Sequence, residues 1–339
     1  MNPQPHITLL LAWFNDFGRT LPWRNIQDPY QIWVSEIILQ QTRIQQGYAY
    51  YERFIAIFPD VFSLSESSLE SVLKAWEGLG YYARARNMHK CAKILVSEYQ
   101  GRFPQDLEIL LKLPGIGPYT ARAIASFAFS QEVAVLDGNV FRILSRYYAD
   151  TTPVNSPQAK THYQNLADSW VKNAPSADFN AAMMDLGSLI CTPQKPKCSK
   201  CPFSAYCKAY LQNIATHFPV FLPPKVRSVR YIVFQLIFNA LQDKIQIQKR
   251  PESGLWGGLW ELPNYEVTET EWNYIVAKRG IIKPIKHILT HITYQATTIL
   301  DNKEQTPNGI WADKQKISEL PLSKLTHKII ELLPKKIIK

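Results

Sequence analysis

The chain has 339 residues, of which 46% are hydrophobic and 12% aromatic, which is long enough for two domains or one large one and too apolar for a disordered chain. Its formal net charge is +10, spread over both the first 225 residues and the remainder, and this suits a polyanionic partner contacted along two domains, although many basic soluble proteins have other partners. The N-terminal run ITLLLAWF is apolar for only eight residues and runs into Asn15 and Asp16, so it fits neither a secretory signal nor a membrane span; the expectation is a soluble intracellular protein, cytoplasmic if bacterial.

In chain order, PYQIWVSEIIL carries apolar residues at 30, 33, 34, 37 and 38, a helical stripe. The helical texture continues through ASFAFS and VFRILSRYYA to about Asn213. HFPVFLPPKVRS then reads as an extended linker. Beyond it, RYIVFQLIFNALQDKIQIQKR reads as a β-hairpin turning at Gln242 and Asp243, WNYIVAKRGI as a helix and THITYQATTIL as a strand. The expected organisation is a mainly α domain over 1–212, a linker over 213–228 and a smaller α+β domain over 229–339.

Four of the five cysteines, Cys191, Cys198, Cys201 and Cys207, follow a C-x6-C-x2-C-x5-C spacing. In an intracellular chain this argues for a metal centre rather than disulfides. Four thiolates serve zinc or an iron–sulfur cluster alike, and the spacing matches neither the zinc ribbon nor the ferredoxin pattern. Lys195, Lys197, Lys200 and Lys208 interleave with the cysteines, so a loop pinned at four points would display phosphate-seeking cations.

Gly115 and Gly117, in LPGIGPYTA, let the backbone turn between two helices. The turn is either an ordinary helix–helix connection or a place where a phosphate approaches the amides of the following helix. Asp137, before Gly138 and a new helical run, has the form of an N-cap. Glu36 lies about 120° from the centre of its helix's apolar stripe, on a solvated face or at a pocket edge.

Taken in order, L-P-G-I-G-P-Y-T-A, L-D-G-N-V and the four cysteines resemble the helix–hairpin–helix glycosylase superfamily, and the cysteine loop is similar to that of endonuclease III. LPWR, PYQIWVSEIILQQT, GLGYYARARN and FNAAMMDLGSLIC narrow the resemblance to the adenine DNA glycosylases of the MutY type, from about residue 9 to 262 and more loosely to the end. The resemblance implies a helix–hairpin–helix glycosylase domain with an iron–sulfur cluster loop, followed by a Nudix-like domain. It further implies one [4Fe-4S] cluster on the four cysteines, and a monomeric enzyme that removes adenine opposite 8-oxoguanine, or more weakly opposite guanine, from double-stranded DNA.

Cleaving an N-glycosidic bond needs a proton for the leaving base and negative charge near the sugar, work that two carboxyl groups in unlike environments divide. By resemblance, Glu36 is the general acid toward adenine N7, which requires a pKa raised by burial. Asp137 stays ionised beside the sugar cation, Asn139 and Tyr119 orient the sugar and the aspartate, and Arg24 contacts adenine or its surroundings. Tyr119 stands where bifunctional relatives carry a lysine; a phenol forms no Schiff base, so the expected enzyme is monofunctional. Gln41 and Tyr81 are wedge candidates for the gap left by the extruded base, with Leu39, Gln40 and Thr42 nearby, while Gly115 and Gly117 hold a DNA phosphate.

RPESGLWGGLWELP resembles the Gly-Leu-Trp-Gly-Gly stretch of Nudix domains, but Glu266, Glu269 and Glu271 do not form the glutamate box that binds magnesium for pyrophosphate hydrolysis. Leu289, Thr290 and His291 stand where many relatives carry a Phe-Ser-His segment that reads 8-oxoguanine; the hydroxyl is kept and the aromatic ring is not. The rival reading is an endonuclease III-like glycosylase/lyase acting on oxidised pyrimidines, against which Tyr119 and the second domain argue.

Overall fold

The computed structural model describes residues 5–224, 226–301 and 309–333. Lys225 of the expected linker and the end of the expected C-terminal domain beyond Leu333 lie outside the described residues. The backbone divides into two compact units, one of Met1–Ile55 with Ile94–Pro223 and the other of Ala56–Lys93 with Pro224–Lys339. The expected sequential boundary near residue 212 therefore does not describe this division.

Within the first unit, the helices Pro29–Leu39, Pro118–Phe129, Gly138–Tyr148 and Ser176–Leu189 frame the cavity described below. Each begins for a local reason. Asp28 accepts the Tyr30 N–H at 2.9 Å, with Pro29 fixing the first turn. Asp106 caps Leu107–Lys112 by accepting the Ile109 N–H at 3.0 Å, and a five-residue turn then leads into Pro118–Phe129. In that turn only Gly115 requires glycine by conformation, with φ +78°. Gly117 is extended, at φ −87° and ψ 177°, and caps its helix without a side chain. A Cβ on Gly117 would meet nothing within 4 Å, so open space faces this helix start.

A core of Trp13, Tyr163, Trp170, Phe179 and Phe203 packs these helices together. The expected linker is partly structured: Val154 N–H donates to Val220 O at 3.0 Å, and Asn155 bonds both the N–H and the carbonyl of Leu222 at 2.7 and 3.0 Å. Its prolines lack donors, so the chain is held through the residues between them. No helix among the described residues is long and apolar enough to cross a membrane.

Two sheets build the second unit. Strands β1 (Ser228–Leu236), β2 (Ile245–Lys249), β3 (Trp260–Glu261), β4 (Asn264–Val267), β5 (Ile285–Ile288), β6 (Ile292–Leu300) and β7 (Gly309–Ala312) are ordered β4-β1-β6-β5 and β3-β2-β7. The expected turn after β1 is present, with Gln242 at φ +56° and Asn239 N–H donating to Lys244 O at 3.1 Å. The expected hairpin is not. β1 runs parallel to β6 and antiparallel to β4, while β2 pairs with β3 and β7, so the two strands part into different sheets after a single bridge, Phe238 to Ile245.

The segment 56–93 joins this unit through specific bonds. Tyr82 donates to Leu322 O at 3.0 Å, Glu77 accepts the Leu322 N–H at 2.9 Å, and Arg86 donates to Gly257 O at 2.9 Å. The Gly-Trp segment is shaped for this packing: a Cβ on Gly258 would lie 3.1 Å from Leu73 Cδ1. Two of the three glutamates of the would-be magnesium box are engaged locally: Glu266 pairs with Arg230 at 3.4 Å, and Glu271 closes the capping box of helix Glu269–Lys278, whose first residue is Glu269.

Candidate active site

A cavity of about 710 Å³ in the first unit is lined by Arg24, Glu36, Tyr119, Asp137 and Asn139, among others. Glu36 is 6% exposed and lines the cavity, so of the two places its helical phase allowed, a solvated face or a pocket edge, it does not take the solvated one. The reason is tertiary: helix Pro118–Phe129 covers that face, and Tyr119 Oη donates to Glu36 Oε2 at 2.5 Å. Burial lifts the Glu36 pKa to about 7, with Asp137 adding to the rise and the Tyr119 hydrogen bond and Arg24 charge opposing it. The Tyr119 hydroxyl is itself held well above its ordinary pKa, by burial first and by the two carboxyls next, so it remains a donor.

Asp137 is the N-cap of Gly138–Tyr148. Its Oδ1 accepts the backbone N–H groups of Asn139 and Val140, both at 2.8 Å, and its Oδ2 accepts Asn139 Nδ2–H at 2.7 Å. Burial raises its pKa while these three donors pull against the rise. Since all three bonds point N–H groups at the carboxyl, they favour the acceptor-only, ionised form. Two carboxyl groups thus share one cavity in unlike surroundings, one facing a hydroxyl and one facing amides. Tyr119 bonds Glu36 and not, as expected, the aspartate; Asn139 does bond the aspartate.

Sequence reasoning missed the residues behind this arrangement. Arg142 Nη2 donates to Asn139 Oδ1 at 2.8 Å and to Gly187 O at 2.7 Å, while its Nε donates to Cys191 O at 2.6 Å. Gly187 makes room, because a Cβ there would lie 2.4 Å from Asn139 Cβ. Asp185, fully buried, accepts Arg24 Nη2–H at 2.9 Å, Arg19 N–H at 2.8 Å and two further Arg19 side-chain bonds. The signal was a charged residue inside the apolar run MMDLGSLIC, which a buried position tolerates only with a partner.

Leu39 and Thr42 line the cavity. Gln40 Nε2 donates to Thr120 Oγ1 at 3.3 Å. Gln41 is exposed, at φ +60°, just past the end of its helix. In the second unit, Tyr82 is buried but Tyr81 is 53% exposed at φ +47°. Leu289, Thr290 and His291 form the tip of the β5–β6 hairpin, closed by Leu289 N–H to Ile292 O at 2.8 Å. Leu289 packs partly on the core, whereas Thr290 and His291 are exposed. Tyr81 and Thr290 meet there, with their hydroxyl oxygens 2.8 Å apart.

The four cysteines, all free, line one small cavity around Arg146. Arg146 is 2% exposed and donates from Nη1 to Cys191 Sγ at 3.3 Å. Among the described residues no three potential ligands are gathered as a single-ion site.

Family models match three stretches of the chain: the HhH-GPD superfamily base excision DNA repair proteins over 34–172, the iron–sulfur binding domain of endonuclease III over 191–207, and the NUDIX domain over 233–332. The structure of a thermostable thymine-DNA glycosylase superimposes with a TM-score of 0.57 at 29% identity, covering 61% of this chain and 95% of that one. The helical hairpin and its cavity thus define a base-excision protein of the helix–hairpin–helix class. The adenine DNA glycosylase of Buchnera aphidicola subsp. Schizaphis graminum is 34% identical over 96% of this chain and 97% of its own length, and that of Mus musculus is 43% identical over 59% of this chain and 41% of its own. The chain belongs to the adenine DNA glycosylase family.

Proposed function

We propose that this chain hydrolyses the N-glycosidic bond of adenine in double-stranded DNA, fastest where adenine stands opposite 8-oxoguanine and more slowly opposite guanine, and leaves an abasic site. The observation that carries the reading is the pair of carboxyls in one cavity, Glu36 with a pKa of about 7 and Asp137 held by three N–H donors. Near neutral pH a large fraction of Glu36 holds a proton for the leaving base. Tyr119 orients that carboxyl from Oε2. As the C1′–N9 bond breaks, Asp137 faces the developing sugar cation, and water then adds at C1′. Arg24 Nη1, which is buried and has no partner among the described residues, is a free donor in the cavity wall for a ring nitrogen of the base.

Reaching the base means extruding it, at on the order of a few kcal/mol. Gln41 and Tyr81, both exposed in left-handed conformations, are the proposed wedges, with Leu39, Gln40 and Thr42 beside Gln41. Gly115 and the open helix start at Gly117 accept a phosphate. Thr290 and His291, with Leu289 as their anchor, read the base opposite adenine.

Cys191, Cys198, Cys201 and Cys207 would hold one [4Fe-4S] cluster. Their convergence on one cavity with a buried arginine suits a polynuclear, negatively charged group. When bound, the cluster pins the lysine-bearing loop for DNA contact.

The test incubates excess protein with an end-labelled duplex holding one adenine opposite 8-oxoguanine, read directly and after hot alkali, with guanine and thymine opposite adenine in parallel. The proposal expects cleavage only after alkali, fastest for 8-oxoguanine. Strand breaks without alkali, or an adduct trapped by borohydride, would replace it with lyase chemistry.

A further inference from the structure

Asp185 is a fully buried carboxylate outside the cavity lining, and four N–H groups converge on it. Its Oδ2 takes the Arg19 backbone N–H at 2.8 Å, and its Oδ1 takes Arg19 Nε–H at 3.1 Å, Arg19 Nη2–H at 2.5 Å and Arg24 Nη2–H at 2.9 Å. The carboxylate is fully buried and the two arginines are half-buried, with side chains 25% and 15% exposed. One negative charge thus holds two positive ones, leaving a net positive wall in the cavity that Arg19 and Arg24 line together with Glu36. The Arg24 guanidinium carbon also lies over the Phe14 ring, 5.6 Å from its centroid, a contact that adds no charge.

We infer that Asp185 is a positioning residue, holding the Arg24 guanidinium in the cavity wall that Glu36 shares and so setting the charge that the proton donor faces. The inference rests on the proposed role of Glu36. The groups facing that carboxyl are Tyr119 from helix Pro118–Phe129, Asp137 from the start of Gly138–Tyr148, Arg24 from the loop before Pro29, and Arg19 and Arg43 elsewhere in the lining. Of these, the Arg24 charge acts to lower the Glu36 pKa, against the larger effect of burial. Arg24 is the one of these charges whose side chain Asp185 grips while leaving a second guanidinium nitrogen, Nη1, buried and unpartnered. A guanidinium held at one nitrogen and free at the other is pre-organised for a ligand; released from Asp185, it loses that orientation.

The experiment measures single-turnover adenine release by the full-length protein, on a duplex with adenine opposite 8-oxoguanine, across pH 5.5 to 9. The variants are Asp185→Asn, Asp185→Glu, Arg24→Gln and the Asp185→Asn/Arg24→Gln double. Loss of the fixed Arg24 charge moves the alkaline limb of the rate upward, by on the order of one pH unit. Arg24→Gln is the variant that removes this charge, whereas Asp185→Asn leaves the arginine charges uncompensated and Arg24 unheld and is expected to move the limb downward; in the double variant, where Arg24 is absent, that downward shift is expected to shrink, since Asp185 acts through Arg24. Asp185→Glu keeps the buried charge, and with it the fold, but displaces Arg24 by a methylene; it is expected to move the limb downward, as Asp185→Asn does but by less, and it decides the question alone should the asparagine variant not fold. An unmoved limb in the Asp185 variants, with only a lower melting temperature, would mean a purely structural role and overturn the inference, as would shifts that add in the double variant. Glu36→Gln in the same series separates the two claims: if it retains the rate, the proposed acid is wrong and this inference falls with it. If it abolishes the rate while the limb ignores Asp185, only this inference falls.

Discussion

A carboxyl group that must hold a proton near pH 7 does so at the expense of stability. Because Glu36 has a folded-state pKa of about 7 against an ordinary value of 4.5, its stabilising contribution is complete below about pH 4.5 and is lost as pH rises through 7. The cost at pH 8 is on the order of 3 kcal/mol. Glu36→Gln keeps an acceptor for the Tyr119 hydroxyl and removes the buried charge. It is therefore expected to raise the melting temperature at pH 8 and to leave it nearly unchanged at pH 4.5, while abolishing base release. Equal melting temperatures at both values would show that the carboxyl is not strained by burial. This burial was not legible from the helix that carries Glu36, because Tyr119 lies 83 residues away. The Asp137 cap was legible, since aspartate before a helical run needs only its own next three residues.

At the scale of elements, two hairpins carry the proposed recognition residues. Gly115 needs glycine for its positive φ, whereas Gly117 is extended and open space faces the Cβ it lacks. The β5–β6 tip brings Thr290 to Tyr81, 209 residues away in sequence, which no local pattern foretells. That contact predicts a coupled pair of lesion-side residues. Thr290→Ala removes a hydroxyl bond of about 1 kcal/mol, and is expected to reduce the preference for 8-oxoguanine over guanine by about fivefold while leaving the rate opposite guanine unchanged; paired single-turnover rates on the two duplexes measure it. Likewise the turn at Gln242 was legible from its residues, whereas the partners of β1 and β2 were not. Turn chemistry is local, but strand pairing is decided by which distant edges are free.

Across the whole chain, composition and motif order indicated two parts, but not that the second is discontinuous. Residues 56–93 supply that unit with buried Trp76 and Tyr82, and with Glu77, which accepts from Lys74, Leu322 and His327. Burial alone would raise the Glu77 pKa, yet these bonds hold it at about 2, so its contribution is full above about pH 4.5 and is lost toward pH 2. A fragment starting at residue 224 lacks these partners and is expected to unfold at lower temperature and lower urea concentration than the same unit in the intact protein. A fragment as stable as the intact unit would mean that the helices of 56–93 add nothing to it.

The account stands on Glu36 delivering a proton to a base that leaves from the site facing Asp137. The most direct measurement is the pH dependence of single-turnover adenine release by the wild-type protein on a duplex with adenine opposite 8-oxoguanine. With Glu36 titrating at about 7, the rate should be highest on the acid side and fall by about tenfold per unit once pH exceeds that value. A rate that stays level or climbs from pH 7 to pH 9 would contradict it.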